Sequence, residues 1–362
     1  MPGKEKSRKK GFLQRLKDTP FFIKLLNWEY WSTAVVYAPA IPMWLYFSLR
    51  ARALTFFSAA NPAMKMGGLV LASKIDILNR IPEEFIPKTI FVDHKKLKVT
   101  DIERQMIEKD FTYPVIAKPD VGERGLKVQK IENSSDLTNY LESNAFDFLV
   151  QEFITLPNES GILYHRLPDA STGMITSVCL KETLKVTGDG VSSILELMEE
   201  SPRAKLQINR MQESGKIRLD RIPEKDEILE LEPIGNHNRG TMFLNGNHLI
   251  DEELTATFDM ISLQMKDLYY GRFDLKYNTF EELKQGRNFK IMELNGVNSE
   301  PAHIYQPGYS IFKAYGDIYR HLKIIYAISK KQRERGISFI PFREFIQSIY
   351  QYFSYKRRAK AL

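Results

Sequence analysis

Two stretches in the last third of the chain constrain the fold more than any others. GRFDLKY at Gly271–Tyr277 alternates: read as a strand, it puts Phe273, Leu275 and Tyr277 on one face and Arg272, Asp274 and Lys276 on the other. FKIMELN at Phe289–Asn295 has the same period and puts Glu293 and Asn295 on one face. As neighbouring strands they would present Asp274, Glu293 and Asn295 together. Two carboxylates and an amide oxygen are hard ligands that suit Mg²⁺, which keeps its remaining positions for water and phosphate oxygens. Thiolates and paired histidines are absent from these stretches, which argues against zinc. Either stretch alone reads equally well as a solvated strand with a polar outer face. The pair, with an arginine beside the first carboxylate, reads as a site.

Two further constellations precede it. VIAKPDVGERG at Val115–Gly125 is a strand that ends in Lys118, turns at Pro119 and enters a short loop bounded by Gly122 and Gly125. Backbone N–H groups in such a loop can cradle phosphate, and a lysine on the strand supplies positive charge. Neither GxxxxGK[ST] nor GxGxxG is present, and GERG by itself is as readily a plain turn. FLVQEFI at Phe148–Ile154 reads as a strand, and its polar side chains and backbone could meet an adenine edge. Around these lie LKVQKI at Leu126–Ile131 as a strand and a short helix capped by Ser135 and running through Glu142. Ser193 and Glu196 form a capping-box pattern for a helix through Glu200. Leu254, Phe258, Ile261, Met265 and Leu268 mark one apolar face of a helix. The chain after Asn61 is therefore expected to be α/β.

Charge is concentrated at the ends. The net charge is +7, and residues 1–24 carry Lys4, Lys6, Arg8, Lys9, Lys10, Arg15, Lys17 and Lys24 against Glu5 and Asp18. The C-terminal end adds Lys356, Arg357, Arg358 and Lys360. Basic ends suit anionic lipid or nucleic acid, or are simply solvated tails. Trp31–Leu49 has no charge and is about long enough to cross a bilayer, but Pro39 and Pro42 interrupt it and basic residues flank it. Trp28, Tyr30, Trp31, Trp44 and Tyr46 favour a membrane–water interface. A single crossing would separate the basic leader from an ATP-using domain, so a re-entrant or interfacial segment is expected. The alternative is a buried aromatic helix pair. The single cysteine, Cys179, cannot form an intrachain disulfide and suits a reducing compartment.

The order of these motifs, lysine strand and turn, then VQEFI, then RFD with ELN, resembles the ATP-grasp superfamily over roughly residues 73–326. VTGDGVSSILELM at Val186–Met198 resembles the cyanophycin synthetase type, and RFD with ELN resembles D-alanine–D-alanine ligases. The resemblance implies an α/β ATP-grasp fold, with ATP between two lobes, after an apolar helical N-terminal segment. The implied divisions are 1–60 for the leader and membrane-surface segment, 61–110 for a reduced first lobe, 111–160 and 161–328 for the ATP-grasp lobes, and 329–362 for a basic aromatic tail. By the same resemblance Lys118 and Lys74 would hold ATP phosphates beneath the loop of Gly122, Glu123, Arg124 and Gly125. Gln151 and the backbone of Glu152 and Ile154 would meet adenine, Glu159 the ribose, and Lys181 the phosphates. Asp274, Glu293 and Asn295 would bind Mg²⁺, and Arg272 would steady the oxyanion of a tetrahedral intermediate.

GNHNRG at Gly235–Gly240 departs from the family pattern. Arg239 there could meet a phosphoryl group or a carboxylate, and His237 could act as a base or sit in a polar turn. His303 could line an acceptor pocket or be a satisfied structural histidine. The implied reaction is ATP- and Mg²⁺-dependent joining of a carboxylate to an amine through an acyl phosphate, with small-molecule or lipid-linked substrates. A kinase-like relative and a membrane-tethered ATP-binding protein without turnover are the alternatives. The expected location is the cytoplasm, peripheral or re-entrant at the inner face of the cytoplasmic membrane, with an anionic surface and no nucleic acid as partner.

Overall fold

The computed structural model describes residues 16–122, 125–215, 217–233 and 235–361. The basic leader up to residue 15, and Glu123 and Arg124 of the expected phosphate loop, lie outside the described residues. In chain order the strands are β1 (Thr89–Val92), β2 (Val115–Pro119), β3 (Gln129–Ile131), β4 (Phe148–Glu152), β5 (Asn158–His165), β6 (Met174–Glu182), β7 (Leu184–Thr187), β8 (Ile228–Glu232), β9 (Met242–Asn245), β10 (Tyr270–Tyr277) and β11 (Phe289–Asn295). The chain divides into two compact units. The larger comprises Ala40–Lys181, Phe243–Ile304 and Phe312–Leu362.

The larger unit holds a four-stranded sheet, ordered β1-β4-β2-β3, and a five-stranded sheet, ordered β11-β10-β5-β6-β9. Helices Val99–Glu108 and Ser134–Glu142 pack Ile102, Met106, Leu137 and Tyr140 against Ile90, Ala117, Phe148 and Val150 of the smaller sheet. The second helix is capped by Asn133, whose side chain accepts from Asp136 N, and not by Ser135 as its sequence suggests.

The apolar face expected of GRFDLKY is buried: Phe273, Leu275 and Tyr277 meet Leu254, Phe258 and Ile261 of helix Glu252–Gln264. Burying each such side chain contributes about 2 kcal/mol. Residues on the opposite side of the same sheet, Leu163 and Tyr270, join a cluster with Phe47, Phe56, Ile325 and Ile328.

The smaller unit comprises the chain up to Pro39, Glu182–Met242 and Tyr305–Ile311. Its antiparallel pair β7–β8 packs Leu184, Val186 and Leu231 on Ile194, Met198 and Met211 of the following helices. The GDG stretch turns the chain out of β7. A Cβ at Gly188 would lie 2.1 Å from the Glu224 carbonyl, so only glycine fits. Asp189 then accepts from the backbone N–H groups of Val191 and Ser192. Ser193 and Glu196 close the expected capping box.

The uncharged stretch Trp31–Leu49 is not one helix. It forms helix Thr33–Tyr37, a 3-10 turn at Ala38–Ala40 and helix Ile41–Ala51. Pro39 and Pro42 account for the break, since each lacks a backbone donor. Among the described residues no helix is long and apolar enough to cross a membrane. At the other end, helix Ile311–Glu334 runs through the expected boundary at 328/329, and helix Phe342–Ala361 follows it. Ala359 and Tyr355 of that last helix pack into the core of the four-stranded sheet.

Candidate active site

The larger unit brings the two acidic strands side by side. In the antiparallel pairing of β10 with β11, Asp274 lies opposite Glu293 and Arg272 opposite Asn295. Beyond that pair the register shifts, because Leu275 lies opposite Ile291 and Met292 is the extra residue of a bulge. The bulge has a consequence for the other sheet. Lys118, at the end of β2, donates from Nζ to the carbonyl of Met292 at 2.9 Å and to Gln151 Oε1 at 2.8 Å.

Asp274 is buried and surrounded by cations. Arg272 NH2 lies 3.0 Å from its Oδ2, and Lys181 Nζ lies 3.1 Å from its Oδ1. Asn295 donates from Nδ2 to Oδ2 at 2.8 Å. Burial works to raise the Asp274 carboxyl, but the Arg272 and Lys181 charges outweigh it and hold it down at about 2. Burial disfavours the Lys181 ammonium too, and Asp274 and Glu159 more than compensate, so its pKa lies above the ordinary lysine value. Glu159 accepts from Lys181 at 2.7 Å. The balance is different at Lys118. Burial dominates there, and its pKa is lowered to about 8 although Glu293 opposes the shift.

Lys74 is the first residue of the short helix Lys74–Leu78. Its Nζ donates to the Gly122 carbonyl at 2.5 Å and lies 3.6 Å from Glu293 Oε1. The helix is docked by Asp120, whose Oδ1 accepts from Ile75 N at 2.9 Å and from Ser73 Oγ at 3.1 Å. Sequence reading missed Asp120, although it directly follows VIAKP. It also missed Tyr355, whose hydroxyl donates to the Val121 carbonyl at 2.6 Å and so ties the last helix to the loop before Gly122.

Several expected roles meet a different local geometry. The Gln151 side chain is fully buried and already bonded: its Oε1 takes Lys118, and its Nε2 donates to Thr89 Oγ1 at 3.0 Å. The Glu152 N–H donates to the Lys88 carbonyl at 2.9 Å, so it is spent within the fold. Ile154 is buried past the end of β4. Gly122 and Gly125 both have positive φ, at 147° and 69°, as a tight loop requires. Arg272 spends its guanidinium on Asp274 and on the Glu300 carbonyl, at 3.3 Å from NH1.

His303 is buried, with Nδ1 2.7 Å from Ser177 Oγ and Nε2 3.4 Å from Asp317 Oδ2. These contacts match the structural reading of this histidine. Cys179 is fully buried, and burial pushes its thiol up to about 12, which suits packing and not nucleophilic chemistry. Arg239 and His237 belong to the smaller unit. There Arg239 lies 3.7 Å from Glu232, and the His237 ring stands against Tyr30 and Tyr305. Burial lowers the His237 pKa to about 4.

The donor set fits a hard divalent cation. Glu293 keeps a partly exposed carboxylate, and Asn295, by donating its NH₂ to Asp274, keeps its amide oxygen as an acceptor.

Three solved structures are similar to part of this chain. A D-alanine–D-alanine ligase from Bacillus anthracis is 14% identical, with 76% of this chain and 72% of that one covered and a TM-score of 0.43. The VanG D-Ala:D-Ser ligase from Enterococcus faecalis is 13% identical over 68% of this chain and 57% of that one, with a TM-score of 0.38. A bifunctional glutathione synthetase from Pasteurella multocida is 17% identical over 68% of this chain, with a TM-score of 0.36, and the chain spans only 36% of its length. No protein-family model matches the sequence, and no curated protein does either.

Proposed function

We propose that this protein is an ATP- and Mg²⁺-dependent ligase that joins a carboxylate to an amine through an acyl phosphate. The observation that carries the reading is the convergence of the Lys118 and Lys74 ammonium groups on one acidic strand, at Met292 and Glu293. Cations fixed beside hard anionic ligands are what polyphosphate transfer requires, because the developing charge lies on phosphoryl oxygens. Lys118, Lys74 and the Gly122–Gly125 loop would hold the phosphates of the ATP substrate. Asp274, Glu293 and Asn295 would hold Mg²⁺, which when bound offsets charge on the phosphoryl oxygens.

Arg272 and Lys181 have two roles in this proposal. They keep Asp274 ionised, and Arg272 remains the candidate for the oxyanion of the tetrahedral intermediate. Gln151, buried and bonded to Lys118 and Thr89, acts by orienting Lys118 and not by the adenine contact expected of it. Glu159 keeps its proposed ribose contact. The test is incubation with ATP, Mg²⁺ and pooled cell metabolites including lipids, followed by mass detection. ADP together with a new amide supports the ligase. A phosphorylated product assigns a kinase instead, and ATP binding without turnover assigns a binding protein.

The proposal includes peripheral attachment to an anionic membrane surface. Two helices of the larger unit support it. Helix Ile41–Ala51 exposes Ile41, Leu45 and Leu49 at four-residue spacing, followed by Arg50 and Arg52. Helix Phe342–Ala361 exposes Phe342, Ile346, Tyr350 and Phe353, with Arg357 and Arg358 exposed near its end. An apolar stripe beside cationic side chains is the pattern of a helix that lies in the interface.

A further inference from the structure

The C-terminal helix Phe342–Ala361 has two distinct sides. At about 3.6 residues per turn, Phe345, Ser348, Tyr352, Tyr355 and Ala359 share one of them, separated by three and four positions in turn. These residues are buried or half-buried. Phe342, Ile346, Tyr350 and Phe353 share the second side and are exposed, and Arg357 continues their line. The two sides point well apart, so an occupant of the outer one does not displace what the inner one holds.

The inner side holds the loop proposed to bind phosphate. Asp120, Val121 and Gly122 are tied one after another: Asp120 Oδ1 accepts from Ile75 N, the Val121 carbonyl from the Tyr355 hydroxyl at 2.6 Å, and the Gly122 carbonyl from Lys74. The middle tie comes from 234 positions away in the chain. The Tyr355 ring stands edge-on to Phe146 at 6.3 Å, and Ala359 is buried in the core of the four-stranded sheet. Tyr352 lines one small cleft with Lys74, Gly122 and Glu293. On charge, FREFIQSIYQYFSYKRRAKA sets Arg343, Lys356, Arg357, Arg358 and Lys360 against Glu344. Apolar and aromatic side chains beside cations suit the anionic membrane surface proposed above. Phe345, near the start of the helix, packs 6.0 Å from Phe57 and joins the cluster that holds Phe47 of helix Ile41–Ala51. The two exposed stripes therefore belong to helices seated in one packed cluster.

We propose that this helix makes ATP binding and membrane binding cooperative: an anionic membrane on its outer side steadies the phosphate loop held on its inner side. The proposal rests on the nucleotide site and the membrane attachment read above. Free in water, the helix leaves its outer apolar side chains unburied, and elements at chain ends open locally at least cost. A helix that leaves its seat takes the Tyr355 hydroxyl from Val121, and one of the three ties on the loop is lost. The stripe on helix Ile41–Ala51 binds the same membrane, and a C-terminal helix seated in the same cluster adds to it as an intramolecular second contact. The membrane therefore favours the seated state over the open one. Linkage runs both ways: bound nucleotide, which needs the loop in place, tightens membrane binding by the same factor.

The experiment uses the full chain, a non-hydrolysable ATP analogue with Mg²⁺, and phosphatidylglycerol vesicles, with phosphatidylcholine vesicles as the neutral control. Affinity for the analogue is measured by equilibrium dialysis with and without vesicles. Phosphatidylglycerol is expected to tighten the analogue about fivefold or more, and saturating analogue to tighten vesicle binding by the same factor. Phosphatidylcholine should do less. Tyr355→Phe keeps the ring and removes the hydroxyl, so it should bind vesicles as the wild type does and lose the vesicle effect on the analogue. Ile346→Glu with Phe353→Glu gives a second reading from the outer side if Tyr355→Phe fails to fold. With enough vesicles to hold this double variant through helix Ile41–Ala51, the effect on the analogue should again be lost.

Vesicles and analogue that each bind but leave the other's affinity unmoved would overturn the coupling and leave standing both readings on which it rests. Absence of vesicle binding, including a chain that pairs with a second copy instead, removes the membrane reading and the coupling with it. Absence of analogue binding removes the nucleotide reading in the same way. Vesicles that weaken the analogue would show the membrane drawing the helix off the loop, the reverse of the proposal. A vesicle effect undiminished in both variants would remove this helix as its route.

Discussion

The ammonium of Lys118 donates to the carbonyl of Met292 at 2.9 Å, joining the end of a strand in one sheet to the bulge of a strand in the other. The bulge puts this carbonyl directly before Glu293, so the phosphate-binding candidate and the metal-binding candidate are held by one contact. Lys118→Ala is therefore expected to weaken nucleotide binding at least tenfold by calorimetry, with the fold kept. Unchanged affinity would remove Lys118 from the phosphate site.

Lys118 also makes a pH prediction. Its pKa is lowered from 10.5 to about 8, first by burial and then by the Lys74 charge. The folded chain therefore binds this proton less tightly than the unfolded chain does. The lysine's contribution to stability is unfavourable below about pH 8 and is relieved as pH rises from there towards 10.5. Affinity for the ATP analogue should run the other way, holding steady to neutral pH and falling above about 8 as the charge is lost. Lys118→Arg, which stays charged, should flatten that fall. A fall of equal size in Lys118→Arg would assign the effect to another group.

Asp274 and Glu293 should separate stability from turnover. Glu293 is partly exposed beside Lys74, so Glu293→Gln should remove Mg²⁺-dependent ATP turnover by two orders of magnitude with little change in melting temperature. Asp274→Asn leaves Arg272 and Lys181 buried without their shared counter-charge, which costs about 3 kcal/mol. Since the folded carboxyl titrates near 2, its stabilisation is complete above the ordinary carboxylate range and is lost as pH falls towards 2. Urea unfolding between pH 2 and pH 5 would expose a mutant that loses the acid limb but not the stability.

Asn61→Ala tests how the segment before Lys74 is held, in which Met66 and Leu71 have positive φ. The substitution strips partners from the Gly67 carbonyl, the Tyr270 carbonyl and two N–H groups, all buried. Unsatisfied buried groups of this kind cost about 1–3 kcal/mol each, and partial relaxation should leave a net loss of about 3 kcal/mol. A variant with wild-type stability would mean that Gly67–Leu71 is held by other contacts.

The membrane proposal is checked by sedimentation with phosphatidylglycerol vesicles. The full chain should pellet with them and partly resist a salt wash, because apolar insertion is not screened while the charge attraction is. Leu45→Glu with Leu49→Glu, and separately Ile346→Glu with Phe353→Glu, should each cut binding several-fold without unfolding, since all four side chains are exposed. Vesicle binding unaffected by either pair would assign the stripes to another partner.

The local periodicity of the chain determined a good deal. Alternation in GRFDLKY sorts Phe273, Leu275 and Tyr277 from Asp274 on chemistry alone, and the spacing of Leu254, Phe258 and Ile261 does the same for a helix. These patterns depend only on near neighbours and need no knowledge of the partner. Tertiary structure alone decided the rest. Which carbonyl receives Lys118 depends on a bulge, and a bulge exists only in the pairing of two strands. Asp120 becomes a dock for Lys74 only because a residue 45 positions earlier folds back onto it. The aromatic C-terminal stretch reads as a tail in sequence, yet Tyr355 and Ala359 find a core to enter, made by a sheet more than two hundred residues away. The contact of Gly67 and Gly68 with Gly296 is the clearest case. Leu69–Ala72 is simply an apolar run until Asn61 and Gly296, far apart in the chain, bend it against the acidic strand.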